Sequence, residues 1–179
     1  MPSADRSFYT DMKYGDKFYT FISDEVLRVA REYLPLSENR EDNFIAGLSM
    51  GGYGALKIAL RNPDKFSACA GLSSVVDAKK LMEDFADGLL TPVFGEERIV
   101  PDEDNLFRLA EKCENETQKP RIYMGVGRQD FLYNDNLAFK NFMENKAFDF
   151  TYTEAEGSHT WAFWDEHIQY VLGWMLRKQ

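Results

Sequence analysis

Gly47-Leu48-Ser49-Met50-Gly51 places a serine between two glycines, at the junction of an apolar run, Asn43 to Leu48, and an Ala-, Leu- and Ile-rich stretch, Met50 to Arg61. A G-x-S-x-G pattern at a strand-to-helix junction is the signature of a nucleophile elbow, a turn so tight that only small residues fit on either side of a strained, exposed serine. Composition alone produces the pentapeptide in roughly one chain of this length in twenty, so it needs partners before it means chemistry. A serine hydroxyl is a weak nucleophile at neutral pH and requires a base, normally histidine. The chain has two histidines. His159 lies in Gly157-Ser158-His159, just past an apolar strand pattern, where folds of alternating strands and helices put their sites. His167 falls inside an amphipathic helix beside Glu166 and is expected to be a surface or half-buried helix residue without a catalytic part.

The base needs a carboxylate to fix its tautomer and to stabilise the imidazolium that forms. Asp130 follows a third apolar strand through Gly127-Arg128-Gln129, which puts it in the same row of strand ends as Ser49 and His159. Asp135 lies further into the loop, and Glu154 and Glu156 flank the end of the fourth strand and read as solvated charges. The chain order Ser, Asp, His is the order used by hydrolases with a nucleophile elbow. Ser49, His159 and Asp130 are therefore the expected nucleophile, base and acid.

Apolar periodicity and turn residues supply the elements that must position these groups. Residues 17 to 34 read as a helix with Phe18, Phe21, Ile22, Val26, Val29, Ala30 and Tyr33 on one broad apolar face, stopped by Pro35. Strands are expected at 43 to 48, 66 to 72, 121 to 126 and 148 to 153, and helices at 50 to 61, 136 to 145 and 162 to 177. Residues 78 to 118 read as an insertion over the site, helical near 78 to 87 and 102 to 113. Strands separated by helices imply a mainly parallel sheet with helices on both faces, an α/β fold in a single domain spanning 1 to 179.

The bulk composition narrows the function classes. The 179 residues are 44% hydrophobic and 15% aromatic, enough for one domain with a core. A formal net charge of -9 argues against a nucleic-acid partner, which would need clustered Lys and Arg. Cys69 and Cys113 have neither disulfide-framework nor zinc-site spacing, so reduced thiols and a cytoplasmic setting are expected. No apolar run approaches the ~18 residues of a membrane helix. No metal or organic cofactor is required by a Ser-His-Asp site.

Three segments together, Gly47 to Ala59, Gly127 to Asn136 and Gly157 to Asp165 (GSHTWAFWD), resemble the esterase D group of the α/β-hydrolases, especially its tributyrin-esterase-like carboxylesterases. SFYTDMKYG at residues 7 to 15 resembles the stretch preceding the nucleophile strand in that group. The resemblance implies a serine carboxylesterase acting on short acyl esters through an acyl-enzyme, with S-formylglutathione hydrolysis or acyl transfer as alternatives on the same fold. It matches Ser49, Asp130 and His159 to the family's catalytic residues and the Met50 backbone N–H to one oxyanion donor. Trp161 and Trp164 fall beside His159. Trp161 is taken as a substrate contact, with helix packing the alternative for both.

In this group several strands, and a glycine-rich loop with the second oxyanion N–H, precede the nucleophile strand, whereas Ser49 stands early in this chain. Met1-Pro2-Ser3 reads as the end of such a strand. The expectation is an N-terminally truncated hydrolase whose nucleophile strand is an exposed apolar edge, paired with a missing N-terminal segment or a second copy. A catalytically impaired fragment or binding remnant is the corresponding non-enzymatic alternative, since loss of one oxyanion donor costs about 10²- to 10³-fold in turnover.

Overall fold

A computed structural model describes residues 1–85 and 87–177. Among these, four strands form one parallel sheet in the order β1 (Phe44–Leu48), β2 (Ala68–Leu72), β3 (Arg121–Gly127), β4 (Phe150–Ala155). Sequence order equals spatial order, so every connection crosses the sheet to the adjacent parallel strand, as such a sheet requires.

The two-residue period of the strands divides the core into two layers. Cys69, Ile122 and Met124 join a cluster with Leu56, Leu106, Phe139 and Met143 from α3 (Met50–Arg61), α6 (Leu106–Cys113) and α7 (Tyr133–Met143). Ala68, Ala70, Leu72 and Tyr123 point the other way, against Phe163, Trp164, Val171 and Met175 of α8 (Trp161–Met175). Helices thus cover both faces, with α8 alone on its side among the described residues.

Several boundaries differ from those expected, each for a local reason. The first helical segment is α1 (Phe18–Thr20), a π-helical turn (Phe21–Glu25) and α2 (Val26–Tyr33). Only part of its apolar face is buried: Ile22 enters the core, while Phe21, Val29 and Tyr33 stay exposed. Turns at Asn62–Phe66 and Lys146–Phe148 delay β2 and β4 by two residues. In contrast, α7 starts at Tyr133, three residues early, because the Asp130 carboxylate accepts the Leu132 N–H and the Asp130 carbonyl accepts the Tyr133 N–H. Residues 78 to 118 hold α4 (Ala78–Phe85), an unforeseen α5 (Leu90–Phe94), and α6, whose start is capped by the Asn105 side chain. Met1 to Ser3 form no strand.

β1 pairs with β2 alone among the described residues, so one side of an entirely apolar strand, Phe-Ile-Ala-Gly-Leu, is an edge with Ala46 exposed. α3 is anchored from its other side by Lys57, a lysine with no exposed surface. Its ammonium pairs with Asp104 and donates to the Tyr9 carbonyl (2.8 Å) and Thr10 Oγ1 (2.9 Å), while the Tyr53 hydroxyl donates to the Asp104 carbonyl (2.6 Å). Burial pulls the Lys57 ammonium down to about 8, with the Asp104 carboxylate opposing that shift. The network ties α3 to the N-terminal loop and to the segment before α6.

Removing one partner of a buried pair strands the other charge. Lys57→Ala is expected to lose about 3–5 kcal/mol in urea denaturation, and Lys57→Met combined with Asp104→Leu to recover most of that loss.

Candidate active site

Ser49 occupies the single residue between β1 and α3 and adopts φ 53°, ψ −121°. Left-handed geometry is costly for a residue with a Cβ, so its surroundings must hold it there. Its N–H donates to the Leu72 carbonyl (2.8 Å), and its carbonyl accepts from Gly52 (3.1 Å), Tyr53 (3.3 Å) and Val75 (3.2 Å). The turn closes only because residue 47 has no side chain: a Cβ there would sit 2.1 Å from the Gly51 carbonyl oxygen. Gly52 makes room for Ser74 beyond β2, whereas Gly54 makes room for the Tyr9 ring.

A second close backbone approach sets the other two groups. A Cβ on Gly127 would lie 2.2 Å from the Gly157 carbonyl oxygen, and Gly157 has φ 146°. The loops after β3 and β4 are then joined by Arg128 N–H to Ala155 O (2.9 Å), Gln129 N–H to Gly157 O (2.9 Å) and Gly157 N–H to Gln129 Oε1 (2.6 Å). These bonds place Asp130 and His159 side by side.

The three side chains predicted from sequence converge. His159 Nδ1 lies 3.0 and 2.9 Å from the two Asp130 carboxylate oxygens, and Nε2 lies 2.8 Å from Ser49 Oγ. A carboxylate accepts, so the ring proton belongs on Nδ1, leaving Nε2 free to accept from the serine hydroxyl. The Asp130 side chain is fully buried. Two rings pack on the imidazole, Phe131 at 4.6 Å and Trp164 at 4.8 Å between centroids. Trp164 is itself fixed by its Nε1–H, which donates to Ser73 Oγ (3.1 Å). Such an arrangement can take a proton from Ser49 as Oγ attacks an electrophile and return it to a leaving group.

Met50 is the first residue of α3, where backbone N–H groups have no partner inside the helix. Trp161 and Trp164 have parted roles. Trp164 is buried against His159, while Trp161, at the start of α8, is 68% exposed and lines a cavity of about 340 Å³ with Leu48, Gly51 and Tyr9. The competing carboxylates are engaged elsewhere: Asp135 pairs with Lys80 (3.0 Å), Glu154 accepts from Tyr133 (3.0 Å), and Glu156 accepts from Arg128 (3.1 Å) and Gln129 (2.6 Å). His167 is more buried than its helical position suggests. Its Nδ1 bonds the Phe163 carbonyl (2.9 Å) and its ring stacks on Phe163. Burial pushes both thiols up, Cys113 to about 11 and Cys69 further, so neither is a ready nucleophile. Among the described residues no cluster of His, Cys, Asp or Glu could hold a metal ion, and no helix is long and apolar enough to cross a membrane.

Sequence reasoning overlooked Tyr9, Ser73, Phe131 and the Lys57–Asp104 pair. Only Lys57 had a signal, a lone charge inside Ala55-Leu56-Lys57-Ile58-Ala59-Leu60.

A parallel sheet with helices on both faces and a serine on the strand-to-helix turn after β1 defines an α/β-hydrolase-fold serine hydrolase, and solved structures agree. A fluorophosphonate-binding serine hydrolase of Staphylococcus aureus superposes with a TM-score of 0.89 at 35% identity, over 99% of this chain and 71% of that one. An S-formylglutathione hydrolase from the same organism gives 0.85 at 37% identity, over 99% and 70%. An acetyl esterase of Caldicellulosiruptor saccharolyticus is 33% identical, over 99% of this chain and 71% of its own length. Residues 4–175 match the family described as "Putative esterase", and the chain belongs to that esterase family of carboxylic ester hydrolases.

The Gly47 contact yields a paired test. Gly47→Ala is expected to destabilise the fold by about 3 kcal/mol or more, since backbone must shift to relieve the clash. Gly173→Ala, in α8 with nothing within 4 Å of the new Cβ, is expected to stabilise by roughly 0.5–1 kcal/mol. Denaturation midpoints of the two variants would read both.

Proposed function

We propose that this chain is a serine carboxylesterase of the esterase D, tributyrin-esterase-like type that hydrolyses short-chain acyl esters with Ser49, His159 and Asp130 as a catalytic triad. The observation that carries the reading is the unbroken hydrogen-bond chain from Asp130 through His159 to Ser49. Ser49 Oγ attacks the ester carbonyl as His159 Nε2 takes its proton, and the Met50 N–H donates to the oxyanion. The tetrahedral intermediate then collapses, and His159 passes the proton to the departing alcohol oxygen. Water, deprotonated by the same nitrogen, attacks the acyl-enzyme and releases the acid and the free serine. Asp130 holds the imidazole tautomer and its transient charge throughout.

Thioester hydrolysis is the second reading, favoured by the 37% identity to an S-formylglutathione hydrolase; the same steps apply with a thiol leaving. The chain acts as one domain in which the 78 to 118 segment forms a wall of the site. Support comes from its point of departure, the Ser73–Asp77 stretch whose Val75 N–H bonds the Ser49 carbonyl. The open side of β1 takes a further strand, from a second copy or another segment, because an all-apolar strand with one neighbour is otherwise an aggregation edge. Two buried free thiols suit the reducing cytoplasm.

A fluorophosphonate probe should label the wild type and not Ser49→Ala. Hydrolysis of p-nitrophenyl esters from acetyl to octanoyl should fall with chain length, vanish in Ser49→Ala, and drop in kcat by on the order of 10³- to 10⁴-fold in Asp130→Asn. Turnover that survives the serine substitution would sink the mechanism.

A further inference from the structure

Ser73 follows β2 with φ 46°, in the left-handed region that costs a residue with a Cβ and that glycine enters freely. The position is completely buried, so contact with water does not explain why a serine stands there. Backbone strain of this kind persists where the side chain it delivers has a task. The Ser73 hydroxyl accepts from the Nε1–H of Trp164 (3.1 Å), and the Trp164 ring meets the His159 ring edge to face, 4.8 Å between centroids at 89°.

The same short segment holds the nucleophile. Leu72 O accepts the Ser49 N–H (2.8 Å), the Val75 N–H donates to the Ser49 carbonyl (3.2 Å), and between them the Ser73 N–H donates to Gly125 O of β3 (2.7 Å). Ser73 thus joins the strand end that fixes Ser49 to a ring that touches His159. Such a link matters because the bond to Asp130 fixes the imidazole at Nδ1 and not its tilt, so what packs on the ring sets where Nε2 points. Resting on the esterase reading, we infer that Ser73 is a positioning residue of the reaction: through Trp164 it keeps His159 Nε2 in line with the Ser49 hydroxyl, 2.8 Å away. Small displacements of a base from its proton cost disproportionately in rate, up to about 10²-fold for 1 Å.

The alternative is that the Ser73–Trp164 bond only stabilises the core, and the two roles separate in p-nitrophenyl acetate hydrolysis. Labelling to completion with a fluorophosphonate counts the competent serines, so kcat per labelled Ser49 is blind to misfolded enzyme. That kcat is expected to fall about 10-fold in Ser73→Ala with KM within about 2-fold of wild type, and about as far in Trp164→Phe, which keeps a ring and loses the N–H. The double variant should fall no further than the worse single one, since both remove one bond. Ser73→Gly relieves the backbone and still lacks the hydroxyl: its urea midpoint should exceed that of Ser73→Ala while its kcat stays as low. Ser74→Ala removes the neighbouring buried hydroxyl, which has no hydrogen-bond partner among the described residues, and should leave kcat within about 2-fold of wild type. Losses that add in the double variant, a kcat restored by glycine, an equal loss in Ser74→Ala or an unchanged kcat in Ser73→Ala would each overturn the positioning role. Turnover persisting in Ser49→Ala would overturn the esterase reading itself.

Discussion

A serine can present its hydroxyl to an imidazole across a sheet rim only if its backbone turns through a region that a side chain disfavours, and Ser49 at φ 53° is that turn. The rest of the molecule is arranged around keeping it closed. β1 and β2 share a register that delivers the Ser49 N–H to Leu72, while three N–H groups from α3 and the loop after β2 hold its carbonyl. Gly47 lets the helix backbone come within contact of the strand. None of these bonds is strong alone, at about 1 kcal/mol net each, but together they exceed the one to three that such a backbone costs.

Strain recurs in the N-terminal loop, where Phe8 and Tyr9 have φ of 54° and 53°. The Tyr9 carbonyl is the acceptor that Lys57 reaches, and the Tyr9 ring fills the space Gly54 leaves open. A buried ion pair is weak evidence for net stability, since apolar replacement often does as well. Its effect here is better described as geometric. Lys57 sits two turns along the helix that Ser49 begins, and its partners come from the N-terminal loop before α1 and from the segment before α6.

Much of this was legible beforehand because the sequence is locally consistent. α3 was delimited residue for residue, since Met50 to Arg61 is helix-forming throughout and ends at Asn62-Pro63. All four strands could be found as apolar runs, and the parallel sheet followed from the helices between them. Ser49, Asp130 and His159 could be nominated because each follows a strand and carries glycines nearby, while the distances between them came only with the structure. What stayed hidden depends on contacts between distant segments. The early start of α7 needs the Asp130 carboxylate to be aimed at Leu132, and the partition of Trp161 from Trp164 needs the position of His159. Exposure of Phe21, Val29 and Tyr33 on the first helix's apolar face depends on what packs against it, which no periodicity encodes.

The contact between Gly127 and Gly157 has a mechanical corollary. With the two loops locked backbone to backbone and cross-linked by Gln129, the carboxylate and imidazole travel as one rigid cassette. Breathing of the sheet rim can then stretch only the joint between that cassette and the hydroxyl, whose serine rides on a different strand two places away. The dimension of the site such breathing changes is thus the gap between the Ser49 hydroxyl and the His159 ring, across which the proposed proton transfer would run.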